Sequence, residues 1–369
     1  MRNIISIYTC LFCLLLAMML CPEALYAQKS KQHLRHMKRQ DRRISQYEGE
    51  LRPDLFRKYS TAGISIHGFN YFGDIAPTNF SAKYLNFTRP GVGVSYGMYL
   101  SPRFMVKGEL LWGRLEADDF AFFDPHDKDE VFKYTRNLHF RNDILELGAT
   151  TAFSLLPEKS NYIVRRMANP YFFAGAALLY HNPKAKVPAT DLHGDPLPNA
   201  GTWVPLQPLG TEGQYSEGYN IQPYSKLQIA LPLGAGVRFK LSRRLNASLE
   251  MGYRFLFFDY LDDVSGHYVD KGALRSELAR AMSDRSMETV AVVSGQPRDM
   301  EAIQQVIRQI TYVGKDGIEY TVFAGYGHEN EGGRPNTRGG EANDSYVVST
   351  LRISYIIGTS VHPFYKSGK

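Results

Sequence analysis

The residues with the clearest chemical potential are charged side chains of both signs that interrupt otherwise apolar stretches. They are Lys107, Glu109, Glu146, Arg238, Glu250, Arg254 and Arg352. If the fold encloses them, they must meet one another, because a buried charge without a partner is strongly destabilising. We therefore predict that the three glutamates form one ion-pair network with the lysine and the three arginines.

Two acidic clusters could support other chemistry. Asp259, Asp262, Asp263 and His267 could activate water as a hydrolytic pair, but the sequence offers no second cluster to assist them, and a hydrogen-bonded turn is favoured. Six further carboxylates could attract calcium, but their spacing matches no calcium loop and predicts a solvated loop; they are Asp118, Asp119, Asp124, Asp127, Asp129 and Glu130. We expect no catalytic residue, metal, cofactor or small-molecule substrate, and hence no enzyme.

Eight segments that could position the charged residues alternate apolar with small or polar residues. In residues 91–100, for example, Val92, Val94 and Tyr96 alternate with Gly93 and Ser95. A period of two is typical of β-strands that face lipid on one side. The segments are residues 61–71, 91–100, 104–115, 145–155, 171–181, 227–239, 245–257 and 345–357. This pattern predicts an all-β protein, an eight-stranded antiparallel transmembrane β-barrel of the OmpA-like kind.

The connections between these segments alternate in length. Residues 101–103 and 242–244 are tight turns and residues 157–170 a moderate one. The long connections are residues 72–90, 116–137, 182–224 and 260–344. Outer-membrane barrels have short periplasmic turns and long outer loops, and an even number of strands returns both termini to the periplasm. A soluble lipocalin-like barrel is the alternative, but the aromatic strand ends favour the membrane.

The last long connection should contain a partly helical insertion at about residues 265–344. Residues 270–283 and 299–310 are rich in helix-forming residues. Asp299 stands where a side chain could cap the second helix.

The chain is predicted to begin with a cleavable signal peptide over residues 1–27, because a short apolar run, residues 4–20, is followed by small residues. All three cysteines, Cys10, Cys13 and Cys21, lie in this segment, so the mature chain has no thiol chemistry. Lipidation at Cys21 is disfavoured by the bulky Leu20 before it. We expect a basic periplasmic segment over residues 28–58, the barrel over residues 59–358 and a periplasmic tail over residues 359–369.

The formal charge of +6 belongs to the basic segment, because residues 29–58 hold ten basic and four acidic residues. Its basic residues could form a helix that docks on an acidic periplasmic partner, or could simply be solvated. The docking candidates are Arg35, Lys38, Arg39, Arg42 and Arg43. Because the charge is so confined, the sequence does not indicate a nucleic-acid partner.

Several short motifs in the same order resemble the PorG-like outer-membrane barrels associated with type IX secretion. They are residues 71–77, 136–142, 181–185, 203–214, 229–241, 259–265, 338–339 and 344–346. Within the predicted loops they include Gly73, Asp74, Pro77, Gly210, Thr211, Glu212, Gly213, Asp259, Tyr260, Asp262 and Asp263. The resemblance implies a non-enzymatic outer-membrane component of a secretion machine that contacts periplasmic ring proteins. An OmpA-like surface or ligand-binding barrel is the alternative, and an outer-membrane enzyme or a pore is less favoured.

Overall fold

The computed structural model describes residues 56, 58–76, 86–158, 162–329, 335–340 and 342–357. The predicted signal peptide, the five docking candidates with the rest of the basic segment up to residue 55, Pro77 and the predicted tail lie outside these residues. The strands are β1 (Tyr59–Phe72), β2 (Arg89–Tyr99), β3 (Phe104–Asp118), β4 (His139–Ser154), β5 (Ala168–Tyr180), β6 (Pro183–Lys186), β7 (Trp203–Pro205), β8 (Leu227–Lys240), β9 (Leu245–Leu256), β10 (Val290–Ala291), β11 (Gln296–Pro297), β12 (Gln309–Val313), β13 (Glu319–Phe323) and β14 (Ser345–Ile357). The α-helices are α1 (Asp119–Phe122), α2 (Val131–Arg136), α3 (Glu277–Ser283) and α4 (Met300–Val306).

Eight of the strands in the described part of the chain form a closed antiparallel barrel. Each of β1 to β5, β8, β9 and β14 pairs with its neighbour along the chain, and β14 returns to pair with β1. Closure leaves no free edge, so every barrel strand has a hydrogen-bonded neighbour on both sides. The predicted eight-stranded antiparallel fold is confirmed.

The two faces of the barrel differ as the period of two requires. In β14, residues 349–357 alternate strictly between exposed and buried. The outward side chains are large and apolar, and Ile64 and Ile66 are 68% and 60% exposed. We call this outward surface the apolar belt; it includes Ile64, Ile66, Val92, Val94, Leu110, Leu145, Leu147, Leu178, Ile229, Leu233, Leu249, Leu351 and Ile353. The inward side chains include the charged residues in the middle of the barrel and apolar ones such as Phe69 and Leu111 toward the loop end, and they fill the bore.

The ends of the barrel are unlike each other. At one end, the turn end, β2 connects to β3 and β8 to β9 through four residues each. At the other, the loop end, the four long connections fold together into a structure that we call the loop cap. It comprises residues 73–76, 119–138, 181–226, 257–329, 335–340 and 342–344. The predicted alternation of short turns and long loops is therefore confirmed.

The loop cap is only partly helical. The hairpin of β6 and β7 extends the sheet from β4, and β10 with β11 and β12 with β13 form two further hairpins. The prediction of a helix over residues 270–283 is wrong in its first half. Asp270 accepts a hydrogen bond from Gly272 N and caps only a 3₁₀ turn, Lys271–Ala273. Ser276 then caps α3, which begins at Glu277.

The second predicted helix is shorter than residues 299–310, but its cap is confirmed. Asp299 accepts a hydrogen bond from Ala302 N and α4 begins at Met300. It ends at Val306, because residues 309–313 pair in the β12–β13 hairpin. None of the helices in the part of the chain described by the structure is long and apolar enough to cross a bilayer.

The loop cap and the upper half of the barrel share one hydrophobic core. Phe69, Leu111 and Leu179 of the barrel belong to the same buried cluster as Val264 and Ile303 of the cap. A separate cluster around Tyr59, Tyr99 and Tyr171 closes the turn end. The cap is thus an integral part of the fold and not a set of independent loops.

Candidate functional site

The bore contains a network of buried charges contributed by four barrel strands. Lys107 Nζ lies 3.1 Å from Glu109 Oε2 and 3.0 Å from Glu250 Oε2. Arg352 also contacts both glutamates, with Nη1 donating to Glu250 Oε1 at 2.6 Å and Nη2 donating to Glu109 Oε1. These four groups alternate in sign, so each charge faces two opposite charges.

A second pair lies beside this group. Arg254 Nε donates to Glu146 Oε1 and Oε2, both at 3.2 Å, and Tyr346 OH donates to Glu146 Oε2 at 2.7 Å. Tyr171 OH in turn donates to Glu250 Oε1 at 2.6 Å. The two tyrosines were not among the predicted site residues, although each occupies an inward position of its strand.

Arg238 does not join the three glutamates, contrary to the prediction. It lies at the turn end, 3.9 Å from Glu158 Oε1, and its guanidinium sits between the rings of Tyr99 and Tyr171 at 5.0 and 4.6 Å. Glu158 lies in the connection after β4, so alternation along a strand could not assign it as a partner. Cation–π contacts with two rings compensate part of the desolvation of this arginine.

The bore is nearly filled. The cavity among Lys107, Glu250, Arg352 and the neighbouring tyrosines has a volume of about 20 Å³, which is room for about one water molecule. An eight-stranded barrel has an interior just wide enough for its side chains. Among the described residues, the arrangement therefore leaves little room for a substrate beside Glu250.

The residues that carry the family resemblance come from four separate loops, and the structure brings most of them together within the loop cap. Arg338 Nη1 donates to Glu212 Oε1 at 2.7 Å and to Asp263 O at 2.6 Å. Asp263 accepts hydrogen bonds from Thr211 and Tyr224, both at 2.6 Å. Burial raises the pKa of Glu212 to about 7, although the guanidinium of Arg338 opposes the shift.

A buried pair of aspartates shares one tyrosine in the same region. Tyr71 OH lies 2.7 Å from Asp262 Oδ2 and 2.6 Å from Asp344 Oδ1. Asp262 Oδ1 also accepts from Val264 N, and Asp344 Oδ2 accepts from Leu261 N. A single hydroxyl hydrogen cannot serve both carboxylates, so one carboxyl must carry a proton. Burial raises the pKa of both aspartates. The charge of Asp74 raises the pKa of Asp262 further, and the charges of Asp262 and Asp259 do the same for Asp344.

Three glycines fit the close contacts and the turns of this cluster. A Cβ on Gly73 would lie 1.8 Å from Asp344 Oδ1 and 1.9 Å from Tyr71 OH. Gly210 adopts φ +63° and Gly213 adopts φ +81°, in the left-handed region that favours glycine. The glycines of the predicted motifs therefore have steric and conformational reasons to be glycine.

The remaining motif residues border this cluster. Asp74 Oδ1 accepts a hydrogen bond from Gly340 N at 2.8 Å. Tyr260 stacks on Tyr224 at 4.9 Å between ring centroids. Burial, with the nearby charge of Asp74, raises the pKa of Asp259 to about 7. His267 is exposed, whereas Asp262 and Asp263 are buried against other partners, so the hydrolytic pair considered from the sequence does not assemble.

The acidic loop is solvated only in part. Asp124, Asp127 and Asp129 are exposed as predicted, but Asp118 and Asp119 are buried. Arg136 donates to both oxygens of Asp119, each at 2.8 Å, and its other bonds go to the carbonyls of Arg338 and Asp74. Among the described residues no group of three or more His, Cys, Asp or Glu side chains could hold a metal ion.

Other buried arginines of the cap were missed by sequence reasoning. Arg298 donates to five main-chain carbonyls, those of Arg285, Ser286, Glu288, Tyr134 and Thr135. Arg285 pairs with Glu288 at 2.7 Å. The contacts of Arg298 follow no recognisable sequence pattern, because its acceptors are carbonyls that every residue type presents; Arg285 likewise donates to the carbonyl of Lys186.

Residues 57–191 match the family described as "Domain of unknown function (DUF6089)". No curated protein matches this chain. Similar solved structures include Neisserial surface protein A, at 7% identity, 80% coverage of this chain, 96% of the other and a TM-score of 0.32. Ail of Yersinia pestis has 8% identity, 82% and 99% coverage and a TM-score of 0.32. The outer membrane protein OprG from Pseudomonas aeruginosa has 7% identity, 82% and 97% coverage and a TM-score of 0.32. The strand pairing and the apolar belt, and not these low scores, define the fold as an outer-membrane type of β-barrel.

Proposed function

We propose that this chain is a non-enzymatic outer-membrane β-barrel that anchors periplasmic partners of a protein secretion machine, as the PorG-like resemblance to type IX components implies. The observation that carries the proposal is the sidedness of the barrel. Apolar side chains face outward around the barrel, and the charged ones are paired inside it. Such a surface is unfavourable in water and favourable in hydrocarbon.

The dimensions of the barrel agree with a bilayer. The shortest barrel strand, β2, has 11 residues. A transmembrane strand needs about 9–11 residues at a tilt of roughly 45°. The loop end then faces outward and the turn end faces the periplasm, together with both ends of the barrel domain.

The filled bore supports an anchoring role over conduction. Lys107, Glu250 and Arg352 occupy the bore, and removing any of them would leave each of its partners with one opposite charge instead of two. At the turn end, Arg238 lies between two aromatic rings and 3.9 Å from Glu158 Oε1. Interaction with the secretion ring would therefore use the periplasmic surface and the basic segment that precedes β1.

A gene deletion tests the secretion role, complemented with the wild-type chain or with a chain in which Arg35, Lys38, Arg39, Arg42 and Arg43 are all replaced by glutamine. We expect the deletion to abolish export of the organism's secreted proteins, and the glutamine chain to restore the barrel without restoring export. Fractionation of the outer membrane and heat-modifiable migration would verify that each chain is inserted. Normal export in the deletion strain would remove the secretion role and leave the barrel.

A second candidate is a surface barrel that binds a ligand through its outer loops. The loop cap favours it, because the cap is folded onto the barrel core through residues such as Val264 and Ile303. Replacing residues 290–326 with a short glycine–serine linker separates the two functions. Loss of ligand binding with intact export would favour the binding role. Loss of export with intact ligand binding would favour the anchoring role.

A further inference from the structure

A group of basic side chains projects from the barrel wall just above the apolar belt at the loop end. Arg141 of β4 stands directly opposite Lys184 of β6 in the sheet, and Lys186 stands opposite Trp203 of β7. Opposed residues of an antiparallel pair lie on the same face, and so do residues two apart. All four therefore share the outward face on which Leu145 and Leu147 of β4 lie. We call this group the basic shelf.

The indole of Trp203 organises the shelf. The guanidinium of Arg141 lies 4.6 Å from the ring centroid and Lys186 Nζ lies 5.8 Å from it. His139 packs edge-on against the same ring and accepts a hydrogen bond from Lys186 N at 2.9 Å. The hairpin is thus fixed against β4, and two of the three cations, Arg141 and Lys186, are held around one aromatic ring.

The local carboxylates leave most of the positive charge uncompensated. Asp143 forms its close ion pair with Arg114 at 2.6 Å and lies 3.7 Å from Arg141. Glu116 is paired with Arg89 at 2.7 Å. Among the ion pairs of the described residues, Lys184 and Lys186 take part in none. The shelf therefore offers positive charge to an anion from outside the chain.

The height of the shelf indicates the source of that anion. Trp112 and Tyr180 stand opposite Leu145 and are 41% and 47% exposed, as expected of an aromatic girdle at the membrane interface. Arg141 lies four residues beyond Leu145, or about 9 Å further along the membrane normal at a rise of roughly 3.3 Å per residue and a tilt of about 45°. The head-group layer is about 5–8 Å thick on each side of the hydrocarbon, so the backbone of Arg141 lies at the outer edge of this layer and its long side chain can reach back into it.

We propose that the basic shelf binds the phosphate groups of a phosphorylated glycolipid of the outer leaflet, that is, of lipid A. This inference rests on the proposed membrane location and orientation, and it is independent of the secretion role. The lysines and Arg141 supply charge-assisted hydrogen bonds to phosphate oxygens. Trp203 and the aromatic girdle below it contact the sugar and the upper part of the acyl chains.

The test uses the mature chain in an uncharged detergent at about 0.15 M salt, with Trp112 replaced by phenylalanine so that Trp203 is the one remaining tryptophan reporter. The protein is titrated with bisphosphorylated lipid A, with the same lipid after dephosphorylation, and with inorganic phosphate. We expect the phosphorylated lipid to bind about a hundred-fold more tightly than the dephosphorylated one, since each basic residue at an anionic surface contributes about a factor of five.

Replacing Arg141, Lys184 and Lys186 together by glutamine should abolish this preference. The single change Lys186→Gln should weaken it about five-fold if the triple variant fails to insert. A matched control replaces three exposed basic residues of the cap, Lys128, Arg308 and Lys315, and should keep the preference. Equal binding of the two lipids, an equal loss in the control, or equally tight binding of inorganic phosphate would overturn the proposal. Failure of the protein to float with liposomes would instead overturn the proposed membrane location.

Discussion

Replacing Asp344 by asparagine should make the loop cap less sensitive to rising pH. Tyr71 has one hydroxyl hydrogen for two buried carboxylates, Asp262 and Asp344, so the folded chain must hold one additional proton there. In Asp344→Asn the side-chain carbonyl can still accept from Leu261 N, while the amide donates to the tyrosine oxygen. The variant therefore imitates the protonated acid permanently.

The sign and size of the effect follow from that proton. The pKa of Asp344 is raised above its unfolded value near 3.9 by burial and by the charge of Asp262. Its contribution is thus fully present below about pH 4 and is lost as the pH rises toward the folded pKa. One additional proton in the folded state gives a slope of about 1.4 kcal/mol of unfolding free energy per pH unit. The asparagine variant should gain that amount over the wild type for each unit between about pH 4 and the folded pKa.

Denaturant unfolding in detergent measures this slope. In a Trp112→Phe background the fluorescence of Trp203 reports on the cap, and wild type and variant are compared at intervals from pH 5 to pH 8. Asp129→Asn is the matched control, since Asp129 is an exposed carboxylate of the same cap and should leave the slope unchanged. Parallel pH profiles for Asp344→Asn and the wild type would refute the shared-proton reasoning.

Three further changes test the packing of the cap and the bore. Arg338→Ala should destabilise the cap by about 3–5 kcal/mol, because Glu212 would stay buried without its cation, and adding Glu212→Gln should restore part of the loss in the same unfolding assay. Gly73→Ala should cost roughly 1–3 kcal/mol or more by driving a methyl group into Asp344, which hydrogen exchange of residues 257–264 would detect. Glu250→Ala should lower the free energy of unfolding by about 3–5 kcal/mol, and with it the thermal midpoint of the barrel, because it removes a partner of both Lys107 and Arg352. Glu217→Ala, at an exposed position, should have little effect.

The barrel could be predicted from the sequence because, in a strand with lipid on one side and charged side chains on the other, the side-chain pattern repeats every two residues. The limits of β14 agree with the predicted residues 345–357, whereas β2, β3 and β4 extend further at the loop end and β1 and β5 at the turn end. The strand β4 begins at His139 instead of residue 145, because the outward positions of residues 139–144 carry Arg141 and Asp143 and so lose the apolar alternation. Strand pairing continues after the lipid-facing pattern has ended.

The candidate site was predictable only where it follows strand alternation. Lys107, Glu109 and Glu250 meet because their inward positions share one level of the bore. Arg238 finds Glu158 on a turn, and Tyr71 finds Asp344 at a separation of 273 residues, so neither contact has a local pattern. The family resemblance marked the loop residues, and the folded cap supplies the physical reason for their proximity.

The arginines bound to main-chain oxygens have a consequence for how the exterior of the cap can vary. Arg298 joins two separate segments through carbonyls of residues 134–135 and 285–288, and Arg338 reaches Ser283 O and Asp263 O in the same way. A carbonyl is present whatever side chain its residue carries. The residue types at outward-facing positions of these segments can therefore change while the path of the backbone is kept. The cap can thus vary its surface chemistry and retain its shape.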